Sequence, residues 1–410
     1  MRWVKKEQDE IKSYIFNALD NNKNYVKEKV LGIPASYLDS KVFSQDNAML
    51  KDAPFLSVLV NNPNHIGCHT LDASESFFSG TQAIEREVIS FTANDILKGE
   101  GDFDGYIASG GTEANIQAIW IYRNYFIQRY NARHDQICIL CSEDAHYSMD
   151  KAANLLNVRI YKTDVDADSR ALSGVDVEIT VETALDEGVK YFIVVANMMT
   201  TMFGSVDDYS HFTDALVARN CHFRLHVDAA YGGFYYPFSN PNNELNFANE
   251  HVTSITLDAH KMAQAPYGTG IFLIRKGFMG YATTKEASYV KGDDSTLIGS
   301  RSGANAVAVW MILSKYGPNE WTEKIVVLQN RTSWLCKQLD KLAIDYYRNP
   351  FSNIIAIKST FISPDLAQRY GLVPDNHNNP EWYKIVVMDH VSIEKVEPLI
   401  QELSLLSLQD

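Results

Sequence analysis

Short apolar runs alternate with helix-like stretches through the middle of this 410-residue chain, and that alternation admits few folds. YIAS, ICILCSE, VRIYKT, YFIVVAN, FRLHVD, SITLDAH and GIFLIRK read as strands. GTQAIEREVISFTANDIL, EANIQAIWIYRNYF, MDKAANLLN and FTDALVARN read as helices. In the first of these, Ile84, Val88, Phe91 and Ile96 recur at helical spacing before GEGDFDG ends the element. Most of the strands are apolar at successive positions rather than at every other one. Such a strand buries both faces, which requires helices on both sides of its sheet. The pattern therefore predicts an α/β fold with a mixed, mostly parallel sheet between helices.

Three segments are expected. Residues 1–55 carry helical and loop signals, residues 56–315 form a large α/β domain, and residues 316–410 form a small C-terminal α+β domain. The last boundary is read at KYGPNE, before a helix rich in Lys and Gln, the strands IIAIKST and YKIVVMDH, and a final helix SIEKVEPLIQELSLL. Composition serves mainly to exclude. With 37 basic and 51 acidic residues the net charge is −14, which argues against nucleic acid or an anionic membrane as the main partner. No apolar run approaches the roughly 18 residues of a membrane span. MRWVKKEQDEIKSYIF is charged and amphipathic, without the apolar core of a signal peptide. Five scattered cysteines are no disulfide framework, and together these features point to the cytoplasm. Cys138 and Cys141 form a CxxC, but inside an apparent buried strand and without a second Cys/His pair, so they read as core and no metal is expected.

Four segments carry chemistry, each at the end of an element. Ser109-Gly110-Gly111-Thr112 lies between a strand and a helix, where backbone N–H groups, a hydroxyl and the helix N-terminus suit an anion. A plain turn with a Thr cap would be written the same way. In His226-Val227-Asp228-Ala229-Ala230, Asp228 either caps a helix or sets a carboxylate against a flat heterocycle, with Ala230 leaving room for the ring. In Asp258-Ala259-His260-Lys261, the lysine is either solvated surface or an amine with Schiff-base reactivity. His146, after the ICILCSE strand, is either structural or a ring that stacks on a planar ligand. One ligand needs a phosphate cradle, a stacking ring, a carboxylate and an amine together. That ligand is pyridoxal 5′-phosphate, with its phosphate, π-face, basic ring nitrogen and aldehyde.

SGGTEAN, HYS, HVDAAYGG and DAHKM, within a match that runs from about residue 60 to the C-terminus, resemble the group II pyridoxal-phosphate decarboxylases. Those enzymes have the type I, aspartate aminotransferase-like fold. GSRSGA and KIVVMDHVSIEKVEPLIQEL are most similar to the archaeal-type tyrosine/aspartate decarboxylases, while glutamate and histidine decarboxylases and sphingosine-phosphate lyases share parts of the pattern. The resemblance implies Lys261 as the Schiff-base lysine, His146 stacked on the ring, Asp228 at the ring nitrogen and Ala230 beneath the ring. Gly111, Thr112 and His260 are implied at the phosphate, and Thr201 near the ring's 3-oxygen. Met199 stands where the family usually has glycine. His226 is implied as a partner behind Asp228 or facing the cofactor.

Tyr289, in KEASYVKG, matches the family's loop tyrosine that protonates the α-carbon after carbon dioxide leaves. Relatives that make an aldehyde carry another residue there, so Tyr289 favours simple decarboxylation of an L-amino acid to its amine. The alternative is another pyridoxal-phosphate carbon–carbon lyase or an aldehyde synthase. The family also implies a homodimer with active sites at the interface, on which residues 1–55 pack. Ser300 and Arg301, in GSRSGA, are implied near the neighbour's cofactor or substrate. His65 and His69 resemble residues that line the substrate pocket, and an aromatic or acidic amino acid is expected there, tyrosine, aspartate and glutamate among the choices.

Overall fold

In a computed structural model the described residues are 79–283 and 293–406, together with Lys29, Leu31, Gly32, Asp39, Lys41, Val42, Asn64 and His65. The helical segment expected over residues 1–55 lies almost wholly outside them, as do His69 and Tyr289.

Seven strands form the large sheet: β2 (Phe103–Ala108), β3 (Ile137–Ser142), β4 (Arg159–Thr163), β5 (Tyr191–Asn197), β6 (His222–Ala229), β7 (Val252–Asp258) and β8 (Gly270–Arg275). Their order is β2-β8-β7-β6-β5-β3-β4. Only β8 runs against the rest, pairing antiparallel with β2 and β7. The doubly apolar strands behave as their sequence demands. Cys138 and Leu140 of β3 join the core on one face, while Ile137, Ile139 and Cys141 join the core on the other. Successive side chains point to opposite faces, so a strand without polar positions is stable only when both faces are covered. Helices α1 (Ser79–Ser90), α2 (Gly111–Tyr130), α3 (Ser148–Leu156), α4 (Gly174–Asp186) and α5 (Ser210–Ala218) supply that cover. Both cysteines are fully buried, and burial pushes the Cys141 thiol up to about 12. Such a thiol stays protonated and is a poor metal ligand.

The long helix read from GTQAIERE stops being α-helical at Ser90. Over Phe91–Ile96 the turns widen, the Leu97 N–H reaching back to the Thr92 carbonyl, and the Thr92 hydroxyl bonds to the Val88 carbonyl. A hydroxyl competing for a helix carbonyl loosens the ladder at that point.

A second sheet, antiparallel, has the order β10-β11-β13-β12. Its strands are β10 (Tyr346–Tyr347), β11 (Ile354–Lys358), β12 (Val373–Pro374) and β13 (Trp382–Val386). A separate apolar core lies beneath it, shared with α7 (Pro364–Tyr370) and α8 (Ile393–Leu406). Between the sheets runs α6 (Gly303–Lys341), kinked at Gly317, whose φ of 60° is left-handed and is followed by Pro318. Glycine tolerates that angle and proline removes the next donor, so at the KYGPNE signal one helix ends and a second begins at an angle to it. The small sheet meets the large one at the loop after β5: a Cβ on Gly204 would lie 2.3 Å from Ser352 Oγ and 2.9 Å from Ile354 Cβ. Among the described residues no helix is long and apolar enough to cross a membrane.

Candidate active site

The carboxyl ends of the parallel strands converge on one edge of the large sheet, the edge where open α/β sheets bind ligands. Ser109 follows β2, His146 follows β3, Thr201 follows β5, Asp228 closes β6 and Lys261 follows β7. Residues dispersed over more than a third of the chain thereby meet.

Two adjoining cavities share His146, Ala230 and Lys261. The larger, of about 390 Å³, is lined by Gly110, Gly111, Thr112, Asp258 and His260. The smaller is lined by Asp228, Thr201 and Met199. The phosphate-type residues thus lie at one end, the carboxylate at the other, and the amine, the small residue and the imidazole between them.

Local chemistry builds the first end. Glu113 of α2 accepts the Ser109 N–H at 2.7 Å and the Tyr106 hydroxyl at 2.9 Å, which bends the chain back over the helix start. The first N–H groups of α2 have no partner within the helix and face the cavity end of its dipole. A Cβ on Gly111 would lie 2.8 Å from Asp258 Oδ2 and 3.2 Å from Ala230 Cβ, so only glycine fits this crossing. Lys261 Nζ rests 3.2 Å from Asp258 Oδ2, with His260 Nε2 3.7 Å from the same oxygen. Asp258 Oδ1 and His260 Nδ1 are buried without a hydrogen-bond partner among the described residues. Buried polar atoms left in this way call for a polar ligand, and a phosphorylated pyridine aldehyde fits the cradle, the lone imidazole nitrogen and the amine.

At the second end Asp228 is buried and held on both oxygens. Oδ1 accepts the Ala230 N–H at 3.0 Å, and Oδ2 accepts Asn115 Nδ2 at 2.8 Å. His146 is half-buried, and desolvation lowers its pKa against a smaller upward pull from Asp228, so the ring is neutral near pH 7. Its Nδ1 accepts the Ser148 N–H at 3.2 Å, which leaves the proton on Nε2. Thr201 is exposed at the rim, while Thr200 beside it is turned inward to Ser205 Oγ at 2.6 Å.

Met199, at the family's glycine position, has φ of 69° and is buried in the main core. The backbone here keeps the left-handed form that favours glycine, at a cost of about 1–2 kcal/mol for any L side chain. Met199→Gly is therefore expected to be about 1 kcal/mol more stable than Met199→Ala in denaturant unfolding, reversing the usual Gly/Ala order. Equal stabilities would show that no strain resides there.

Of the substrate residues read from sequence, His65, Ser300 and Arg301 are described. His65 and Arg301 are brought together by a two-stranded ladder of β1 (Asn64–His65) and β9 (Arg301–Ser302), whose register pairs the two residues. The Arg301 side chain is buried. Its guanidinium forms an ion pair with Glu85 of α1, whose Oε1 also accepts the Ile107 N–H at 2.7 Å, and it lies over the Tyr106 ring. An anion would have to compete with Glu85 for that guanidinium. Ser300 is exposed.

Sequence reasoning missed two residues here. Asn115 was passed over as part of a motif, although a buried polar residue in a helix as apolar as EANIQAIWIY is itself a signal. Lys384 sits in the apolar strand β13 and is buried, donating from Nζ to the Thr201 carbonyl at 2.7 Å. It makes no ion pair among the described residues, and desolvation, with a smaller contribution from Lys261, brings its amine down to about 8. A lysine inside YKIVVM was the signal.

The pyridoxal-dependent decarboxylase conserved domain matches residues 85–346. A tryptophan decarboxylase of Clostridium sporogenes (strain ATCC 15579) is 48% identical over 403 residues, covering 98% of this chain and 97% of that protein. A probable L-tyrosine/L-aspartate decarboxylase of Methanothermobacter thermautotrophicus is 31% identical, covering 81% and 90%. Among solved structures, L-methionine decarboxylase from Streptomyces sp. 590 superposes with a TM-score of 0.78 at 21% identity, over 97% of this chain and 95% of that one. A glutamate decarboxylase of Lactobacillus brevis superposes at 0.75 and 17% identity, over 100% and 94%. These likenesses place the fold among the type I pyridoxal-phosphate enzymes.

Proposed function

The chain belongs to the pyridoxal-dependent decarboxylase family, an enzyme family that converts L-amino acids to amines with pyridoxal 5′-phosphate, and from that premise we propose that its substrate is aromatic, with tryptophan first. The 48% identity to a tryptophan decarboxylase along nearly the whole of both chains carries this choice over the acidic substrates.

The cofactor, when bound, supplies the electron sink for the pair left on the α-carbon as carbon dioxide departs. Lys261 would hold its aldehyde carbon, the Gly111 and Thr112 N–H groups with the Thr112 hydroxyl and His260 its phosphate, Asp228 its ring nitrogen and Thr201 its 3-oxygen. The remaining work falls to the protein. His146 would pack from one side and Ala230 from the other, which would keep a flat ligand in one plane. Asp228, with an N–H on each oxygen, presents a carboxylate whose remaining lone pairs would accept a ring N–H. Tyr289 would deliver a proton to the α-carbon, and with it the product is an amine rather than an aldehyde. The homodimer expected for the family, with its sites at the interface, is part of this proposal.

Lys384 extends the reading to the substrate. Its ammonium lies beside Thr201 and has no carboxylate partner among the described residues, so an amino acid's carboxylate is a fitting partner. Lys384→Met is expected to raise KM for the amino acid about 10–100-fold with a smaller change in kcat, the worth of one charge-assisted hydrogen bond. The amine titrates at about 8, below the usual lysine value, and only its protonated form attracts the carboxylate. KM of the natural protein should therefore rise as pH passes above that value, and Lys384→Met should lose this dependence. An unchanged KM in the variant would remove Lys384 from the substrate site.

Steady-state rates on L-tryptophan, L-tyrosine, L-phenylalanine, L-aspartate and L-glutamate test the proposal directly. Tryptophan should show the highest kcat/KM, by about tenfold or more over the acidic pair, a margin one mismatched pocket provides. Faster turnover of aspartate or glutamate would overturn it.

A further inference from the structure

Behind the two residues that face the ring lies a buried chain of side chains that the mechanism above does not use. Tyr122 of α2 bonds to Ser254 Oγ, which lies 2.7 Å from His226 Nδ1. His226 Nε2 lies 2.9 Å from Asn115 Oδ1, with Thr256 Oγ1 farther off at 3.4 Å. Asn115 Nδ2 reaches both Asp228 Oδ2 at 2.8 Å and Ser148 Oγ at 3.0 Å, and Ser148 Oγ lies 2.9 Å from His146 Nδ1.

Chemistry sets the direction of every link. A carboxylate only accepts and a backbone N–H only donates. Asp228 therefore faces the NH2 of Asn115, and the Asn115 carbonyl must accept from His226 Nε2–H. Burial pushes His226 down to about 4, so the imidazole is neutral and its Nδ1 is bare. Ser254 then donates to that nitrogen and, having one proton, accepts from Tyr122, whose phenol burial keeps protonated. At the other end the Ser148 N–H already donates to His146 Nδ1. The Ser148 hydroxyl donates there too, and its lone pair takes the second N–H of Asn115. All the protons point the same way, from Tyr122 toward Asp228 and His146.

We propose that His226 is a positioning residue that locks the Asn115 amide in one orientation, and that this single amide registers the carboxylate of Asp228 with the imidazole of His146. Without the His226 N–H, the buried Asn115 carbonyl loses its donor, and the amide can tilt out of the position in which its NH2 reaches both Asp228 and Ser148. The carboxylate then shifts, and the coupling to Ser148 is lost with it. The inference rests on the reading that Asp228 and His146 meet the cofactor.

Three holoenzymes decide it: natural protein, His226→Leu and His226→Gln. Glutamine offers an N–H toward Asn115 and a carbonyl toward Ser254, whereas leucine offers neither. His226→Leu should lower kcat about 10–100-fold, the usual scale for an outer partner that orients a reacting group, with KM within about threefold. Its visible circular dichroism, which reports the tilt of the bound cofactor ring and not turnover, should change in intensity. His226→Gln should restore both toward the natural values. Natural kcat and dichroism in folded His226→Leu would overturn the proposal, as would a folded His226→Gln no better than leucine. Should His226→Leu fail to fold, Ser254→Ala frees Nδ1 to carry the proton instead. It should lower kcat several-fold at constant KM, and natural values there would likewise overturn the proposal. Asp228→Asn in the same assays separates the two readings. If it leaves the dichroism and kcat unaltered, the placement of Asp228 at the ring is what fails.

Discussion

Lys261→Ala should leave a folded protein without measurable amine formation, at least about 10⁴-fold below the natural enzyme, as expected for loss of the group that bonds covalently to a reacting centre. The geometry explains why no neighbour should rescue it. Lys261 is the amine shared by the two cavities, and another buried amine, Lys384, lines neither and is tied to the Thr201 carbonyl. The variant should also release its cofactor on dialysis, since the noncovalent contacts at Gly111, Thr112 and Asp228 alone remain. Stability should change little or rise slightly. Lys261 is only half-buried, and among the described residues it pairs with Asp258, which His260 also approaches. Amine formation within about tenfold of the natural rate would show that another group carries the chemistry.

Asp228→Asn has the second largest expected effect. The substitution keeps the shape and removes the charge, but it also upsets the bonding around it. Both oxygens of Asp228 accept from N–H donors, Ala230 on one and Asn115 on the other. An asparagine has one oxygen, so one of those donors must then face an NH2 group, and a buried donor without an acceptor costs about 1–3 kcal/mol. The carboxylate that would keep a ring nitrogen protonated is lost as well, and each lost unit of that nitrogen's pKa is worth about 1.36 kcal/mol. Two or three such units correspond to a fall in kcat of about 10²–10³-fold, with cofactor still bound through Lys261. A kcat within about tenfold of the natural value would mean that Asp228 only caps its loop, as its Ala230 bond allows.

Much of this architecture could be read from the chain because it depends on period and punctuation. The alternate burial of Cys138 through Cys141 follows from a strand without polar positions, and the turn at Gly110-Gly111 from two glycines between a strand and a helix. Ser109, His146, Asp228 and Lys261 stood out at element ends, and the strand ends deliver them to one edge. What was not legible depends on contacts between distant segments. The partner of Arg301 is one such case, because nothing local in GSRSGA reveals that Glu85 will be buried against it. Lys384 gave its signal as a lone charge in an apolar strand, but its address beside Thr201 exists only once the small sheet docks on the loop after β5. The Asn115 amide bonds to residues of α3 and β6 that are far from it in sequence. The left-handed backbone at Met199 was hinted at only by the glycine that stands there in the resembling family.

The most direct test is the identity of the product. Holoenzyme incubated with L-tryptophan in deuterium oxide should give an amine lighter than the substrate by one carbon dioxide and carrying one deuterium on the α-carbon, read by mass spectrometry. That result requires both loss of the carboxyl group and delivery of a solvent-exchangeable proton to the same carbon, as assigned to the site and to Tyr289. An aldehyde with ammonia, or an α-deuterated amino acid with its carboxyl group intact, would contradict the account.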